Sequence, residues 1–182
     1  SELEDVLRKL EKLAREVDKI NKDLIKRVEE LARELKKKNE KSNKEARDLV
    51  KKLKEMKDRG DLRREDIDRV EKRLEKLLKE LHEENKRVID EIRKLLEEAE
   101  ETNRRVIEEI KKLVKELEDR DGDDERVRRL KKEVEELERR LRRSVDDLRR
   151  KIKELEDRLR EIDERNKREI EKLVKELRDT DR

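Results

Sequence analysis

The chain has one histidine, His82, within "LHEENKRVI" and three residues ahead of Asn85. A histidine on a helix could ligate a metal or move a proton, and both tasks need partners at fixed spacing. A zinc-hydrolase helix needs a second histidine four residues on, where this chain has Lys86, and a di-iron helix needs glutamate three residues before, where it has Lys79. Cysteine is absent, which removes thiolate ligands, thiol nucleophiles and disulfides. Neighbouring carboxylates such as Asp146 and Asp147 carry little information among 56 acidic residues. The two glycines, Gly60 and Gly122, lie too far apart to cradle a phosphate. The densest basic stretch, "ERRLRRSVDDLRRKIK", is interrupted by aspartates, and with no aromatic residue in the chain nothing stacks on bases. The expectation is no catalysis, no metal, no cofactor and no nucleic-acid partner, with His82 a hydrogen-bonded residue in the core or at its boundary.

The positioning elements follow from composition and spacing. Charged residues make up 63% of the 182 positions and apolar ones 29%, values that would suggest disorder if the apolar residues were scattered. They are instead periodic. Val6, Val17, Val28 and Val50 recur at multiples of eleven, with Asn39 in the missing place, and Leu13, Leu24, Leu35 and Ala46 do the same. "NKRVIDEIRKLL" from Asn85 is echoed eighteen residues later by "NRRVIEEIKKLV" from Asn103. Both periods match nearly straight α-helices with little left-handed supercoil. Proline is absent, and the glycines sit in matching contexts, each followed by an aspartate. A left-handed glycine that ends one helix and an aspartate, Asp61 or Asp123, that caps the next are expected at both turns, with Ser1 and Glu4 as a capping box at the start. Three helices, over about 2–58, 62–119 and 124–179 and each about 85 Å long, are thus predicted. Short turns make neighbours antiparallel, so the fold class is an all-α, up-down-up three-helix bundle, a single domain over 1–182. The third helix has the narrowest apolar stripe and is expected to be the most exposed.

Nine polar residues interrupt these stripes: Asn21, Asn39 and Ser42 in the first helix, His82, Asn85, Thr102 and Asn103 in the second, Ser144 and Asn166 in the third. In an antiparallel pair, residues at one height have numbers with a constant total. Asn21 with Asn103, Asn39 with Asn85 and Ser42 with His82 share one total, and Asn103 with Ser144 and His82 with Asn166 nearly share another. Two polar layers are expected, about 32 Å apart at 1.5 Å per residue. One holds Asn21, Thr102, Asn103 and Ser144, and the other Asn39, Ser42, His82, Asn85 and Asn166; Asn43 could join the second or face water. Buried amides are tolerable only when bonded to one another, and what they add is register, because a slipped helix would strand them against leucine. A buried, neutral His82 would have a folded pKa below its unfolded one, so stability would fall as pH drops below about 6.5.

Paired Gly-Asp turns, a Glu/Lys/Arg surface, an aromatic-free core of Leu, Ile and Val and Asn-Ser-Thr-His layers together resemble computationally designed helical bundles with buried hydrogen-bond networks. Natural spectrin-like repeats normally have shorter helices and a core tryptophan, which this chain lacks. The resemblance spans all three helices and implies a rigid, thermally stable coiled-coil scaffold or assembly building block that requires no partner. The alternative is an interaction module, in which the wide stripes of the first two helices accept a designed helical partner or a second copy. Apolar runs do not exceed two residues, so no membrane span and no targeting signal is expected, and the chain should be soluble, with its compartment left open.

Overall fold

The computed structural model describes residues 2–180, with every side chain in that range except those of Leu3, Asp121 and Thr180. Three helices account for nearly all of it: α1 (Glu2–Asp58), α2 (Arg64–Asp121) and α3 (Glu125–Thr180). Acidic residues in the first turns (Glu2, Glu4 and Asp5; Glu65 and Asp66; Glu125) and basic ones in the last (Lys57, Arg120, Arg178) oppose the partial charges at the helix ends.

The turns depart from expectation in instructive ways. Gly60 takes a left-handed φ of 77°, its N–H donates to the Lys57 carbonyl at 3.0 Å, and the Asp61 N–H donates to the Met56 carbonyl at 2.9 Å. This paired closure satisfies the last carbonyls of α1 and uses Asp61 through its backbone, not as a cap. The cap of α2 is Arg63, whose own N–H is accepted by Asp66 Oδ2 at 3.2 Å while its carbonyl accepts from Asp66 and Ile67. The helix therefore starts two residues later than its sequence suggested. At the second turn the cap is Asp124 in place of Asp123: its Oδ1 accepts the Arg126 N–H at 2.9 Å, and that bond, followed by the one to the Arg126 side chain, holds its pKa below the usual carboxylate value. Gly122 is not left-handed. It is needed for space, since a Cβ there would lie 2.6 Å from the Glu118 carbonyl oxygen. The expected cap at Ser1 lies outside the described residues.

Contacts between helices give the topology. Lys111 with Glu138, Lys131 with Glu118, Arg149 with Glu100 and Arg178 with Glu71 pair α2 with α3, and the residue numbers reach the same total each time, which requires antiparallel chains. Arg47 with Glu169 and Lys54 with Glu176 pair α1 with α3 at a constant separation of 122, which requires parallel ones. The protein is an antiparallel up-down-up three-helix bundle, with no strand among the described residues.

Two compact units draw on all three helices. The first comprises Ser1–Glu29 and Ile92–Lys153, the second Glu30–Glu91 and Glu154–Arg182. In the first, Leu10, Val17, Ile110, Val114, Leu130 and Leu141 are among the buried side chains, and Val6, Leu7, Val106, Ile107 and Leu113 pack against them from the flanks. In the second, Ala46, Val50, Leu53, Leu74, Leu81, Ile170 and Leu177 are buried, flanked by Met56, Leu62, Val70, Leu78, Leu173 and Val174. Burying one Leu or Ile side chain is worth about 1.5–3 kcal/mol, so these stripes, not helix propensity, hold the helices together. The narrow stripe of α3 does not leave it more exposed. Val127, Leu130, Val134, Leu137, Leu141, Leu148, Ile152, Leu159, Ile170 and Leu177 are all buried.

Candidate functional site

Five asparagines are buried, each at most 5% exposed: Asn21, Asn39, Asn85, Asn103 and Asn166. Each sits where the helical period would place an apolar residue, so packing carries the amide inward with its stripe.

In the first unit, Asn21 and Asn103 bond reciprocally across α1 and α2, at 3.3 Å from Asn21 Nδ2 to Asn103 Oδ1 and 3.1 Å in return. Asn21 Nδ2 also donates to Ser144 Oγ on α3 at 3.2 Å, and Asn103 Nδ2 donates to the Ala99 carbonyl one turn back at 2.6 Å. All three helices are thereby tied at one level.

The second unit repeats the motif with the helices exchanging roles. Asn39 and Asn85 bond reciprocally at 2.9 and 3.2 Å, Asn39 donates to its own Leu35 carbonyl at 2.7 Å, and Asn85 reaches α3 by donating to Asp163 Oδ1 at 2.9 Å. Asn166 Nδ2 donates to Asn39 Oδ1, and Asn43 Nδ2 donates to Asn166 Oδ1. Asn39 thus uses both donors and both acceptor sites. Asn43 joins the network half-buried, and its Oδ1 is the one buried side-chain oxygen or nitrogen without a partner among the described residues.

Three expected members stand outside. The His82 side chain is 66% exposed, and its Nδ1 lies 3.1 Å from Asp163 Oδ2, so it meets the network only through that carboxylate. Leu81 holds the buried position, and one residue further on the helix turns His82 about 100° away from it. This exposure removes the buried imidazole on which a loss of stability below about pH 6.5 was premised. Thr102 and Ser42 are half-buried beside Asn103 and Asn39, and neither hydroxyl has a hydrogen-bond partner among the described residues. Asn43, one residue after Ser42 and with a longer side chain, makes the bond to α3 instead.

Asp163 is the member that the stripe pattern did not single out. Its number and that of Asn85 come within one of the total for Asn103 and Ser144, which was the available signal, but an aspartate is inconspicuous in a chain so rich in acids. One residue before Asn85, Glu84 accepts from Arg87 and from Lys38 of α1, the latter at 3.0 Å, bonds that hold its carboxyl below the usual range and raise the Arg87 pKa. Among the described residues no cluster of three or more His, Cys, Asp or Glu could hold a metal ion, and no helix is long and apolar enough to cross a membrane.

No protein-family model and no curated protein sequence matches the chain. A solved structure described as a computationally designed three helix bundle is similar to it, with a TM-score of 0.84 over 98% of this chain and 91% of that one, at 22% sequence identity. The shared property is the fold, three helices in a bundle, reached with largely different residues.

Proposed function

We propose that this chain is a structural scaffold of designed origin, in which the two asparagine networks set helix register. The observation that carries this reading is the recurrence of one motif, a reciprocal Asn pair between α1 and α2 with a bond to α3, once in each unit. A mispaired or shifted helix would leave amides buried against leucine, at about 1–3 kcal/mol for each stranded group, whereas the native pairing satisfies nearly all of them. The regular Gly-Asp turns, the evenly mixed charges and the fold of the similar designed bundle support the same reading.

The test replaces Asn21, Asn39, Asn85, Asn103 and Asn166 with leucine together, and Ser144 and Asn43 with alanine. The expected protein resists denaturant at least as well as the parent but populates several registers or oligomers, seen as multiplied amide resonances and heterogeneous sedimentation. One homogeneous monomer with the parental helix pairing would defeat the proposal.

A second reading, self-association or capture of a helix, draws on Ile20, which is 42% exposed, and on a groove in the first unit lined by Leu7, Leu10, Ala14, Val134 and Leu137. It predicts a sedimentation coefficient that rises with concentration and an Ile20→Lys variant that stays monomeric. A parent that is monomeric across the range removes the self-associating form.

A further inference from the structure

The geometry points to His82 as a nucleophile toward small neutral activated esters, with Asp163 as its positioning residue, a reactivity that goes beyond the scaffold reading and does not rest on it. Three observations combine. His82 Nδ1 lies 3.1 Å from Asp163 Oδ2, and the other carboxylate oxygen is held at 2.9 Å by Asn85, which is only 1% exposed and is bonded in turn to Asn39. An exposed imidazole is thus oriented by a carboxylate that the buried network anchors. That arrangement favours the tautomer with its proton on Nδ1 and leaves a lone pair on Nε2. Nε2 has no hydrogen-bond partner among the described residues, and the side chain is 66% exposed, so the lone pair is reachable. The ring lines a groove of about 430 Å³ between α2 and α3, together with Leu78 and Lys79 of α2 and Glu164 and Lys167 of α3. Leu78 offers an apolar contact for an aryl group. Three acids in its lining, Glu75, Asp163 and Glu164, against Lys79 and Lys167 leave the groove weakly negative, which favours a neutral substrate over an anionic one.

The reaction balances without a further reagent. The Nε2 lone pair attacks the ester carbonyl, an N–C bond forms, and collapse of the tetrahedral adduct breaks the C–O bond and releases the aryl oxide. The acyl-imidazolium left behind carries a positive charge that the Asp163 carboxylate stabilises. Water then attacks the acyl carbon, the C–N bond breaks, the carboxylic acid leaves, and a proton passes to solvent, restoring neutral His82.

The test follows para-nitrophenolate release from para-nitrophenyl acetate at neutral pH, beside an equal concentration of free methylimidazole, and reads the His82 tautomer from its ring ¹⁵N resonances. The parent should exceed methylimidazole by about tenfold, below the usual range for a positioned acid-base group because His82 lies mid-way along a continuous helix, whose backbone N–H groups are engaged in its own hydrogen bonds. His82→Ala should return to the buffer rate, and Asp163→Asn to the methylimidazole rate with a shifted tautomer. A parent no faster than methylimidazole, or a His82→Ala protein that keeps the parental rate, overturns the assignment. A parental ring protonated on Nε2 overturns the role of Asp163 whether or not Asp163→Asn folds.

Discussion

Asn39 and Thr102 show how unequal two polar residues on the same kind of stripe become once their bonds are known. Asn39 takes part in four hydrogen bonds, to Leu35, to Asn85 in both directions and from Asn166, so Asn39→Ala removes several at once and leaves buried partners unmet. A loss of about 2–3 kcal/mol in denaturant unfolding is expected, against less than about 0.5 kcal/mol for Thr102→Ala or Ser42→Ala. Equal effects would mean that the networks carry no more weight than a surface hydroxyl. Glu84 adds a pH dependence. Its folded pKa is depressed, so its ion pairs contribute stability that is present above the unfolded value of about 4.3 and lost as pH falls through the lower folded value. The stability gap between the parent and Glu84→Gln should therefore close as pH is taken from 7 to about 3, and a gap independent of pH would count against the pairing with Arg87 and Lys38. These distinctions were only partly legible in the sequence. The reciprocal Asn pairs were, because four amides at matching heights stand out among leucines. The place of His82 was not, because a helical stripe has soft edges and one residue is 100° of rotation.

The two turns between helices use glycine for different physical reasons, and substitution separates them. Gly60 has a left-handed backbone with nothing within 4 Å of a Cβ, whereas Gly122 is not left-handed but has no room, with the Glu118 carbonyl 2.6 Å from where a Cβ would stand. Gly60→Ala and Gly122→Ala should both lower the melting temperature. Asparagine, which tolerates left-handed angles, should restore most of the loss at 60 and none at 122. Rescue at both positions, or at neither, would contradict this account. At the start of α3, Asp124→Ala should lower the melting temperature by a few degrees while Asp124→Asn, which keeps an acceptor for the Arg126 N–H, should not. The identical Gly-Asp spelling concealed this difference. Whether the capping residue is two or three positions after the glycine depends on how the chain leaves the previous helix, and the Met56 to Asp61 closure at the first turn carries the chain on to Arg63.

For the molecule as a whole, continuous leucine, isoleucine and valine cores in both units and short turns lead to a cooperative thermal transition above about 65 °C, beyond the usual range of natural mesophilic domains. A melt below about 60 °C by circular dichroism would mean that the stripes are not packed as described. The sequence by itself determined the three helices, their antiparallel order and the heights at which Asn21 meets Asn103 and Asn39 meets Asn85. Period and turn length are properties of the chain, and once two helices lie antiparallel, height follows from residue number alone. Ser144 was placed with Asn21 and Asn103 by its number too, and only the tertiary structure decided that Asp163 and Asn43 join the second network, with His82 outside and Thr102 and Ser42 unbonded. Those outcomes turn on side-chain length and on rotation about the helix axis relative to a third helix, which residue spacing along one chain does not specify.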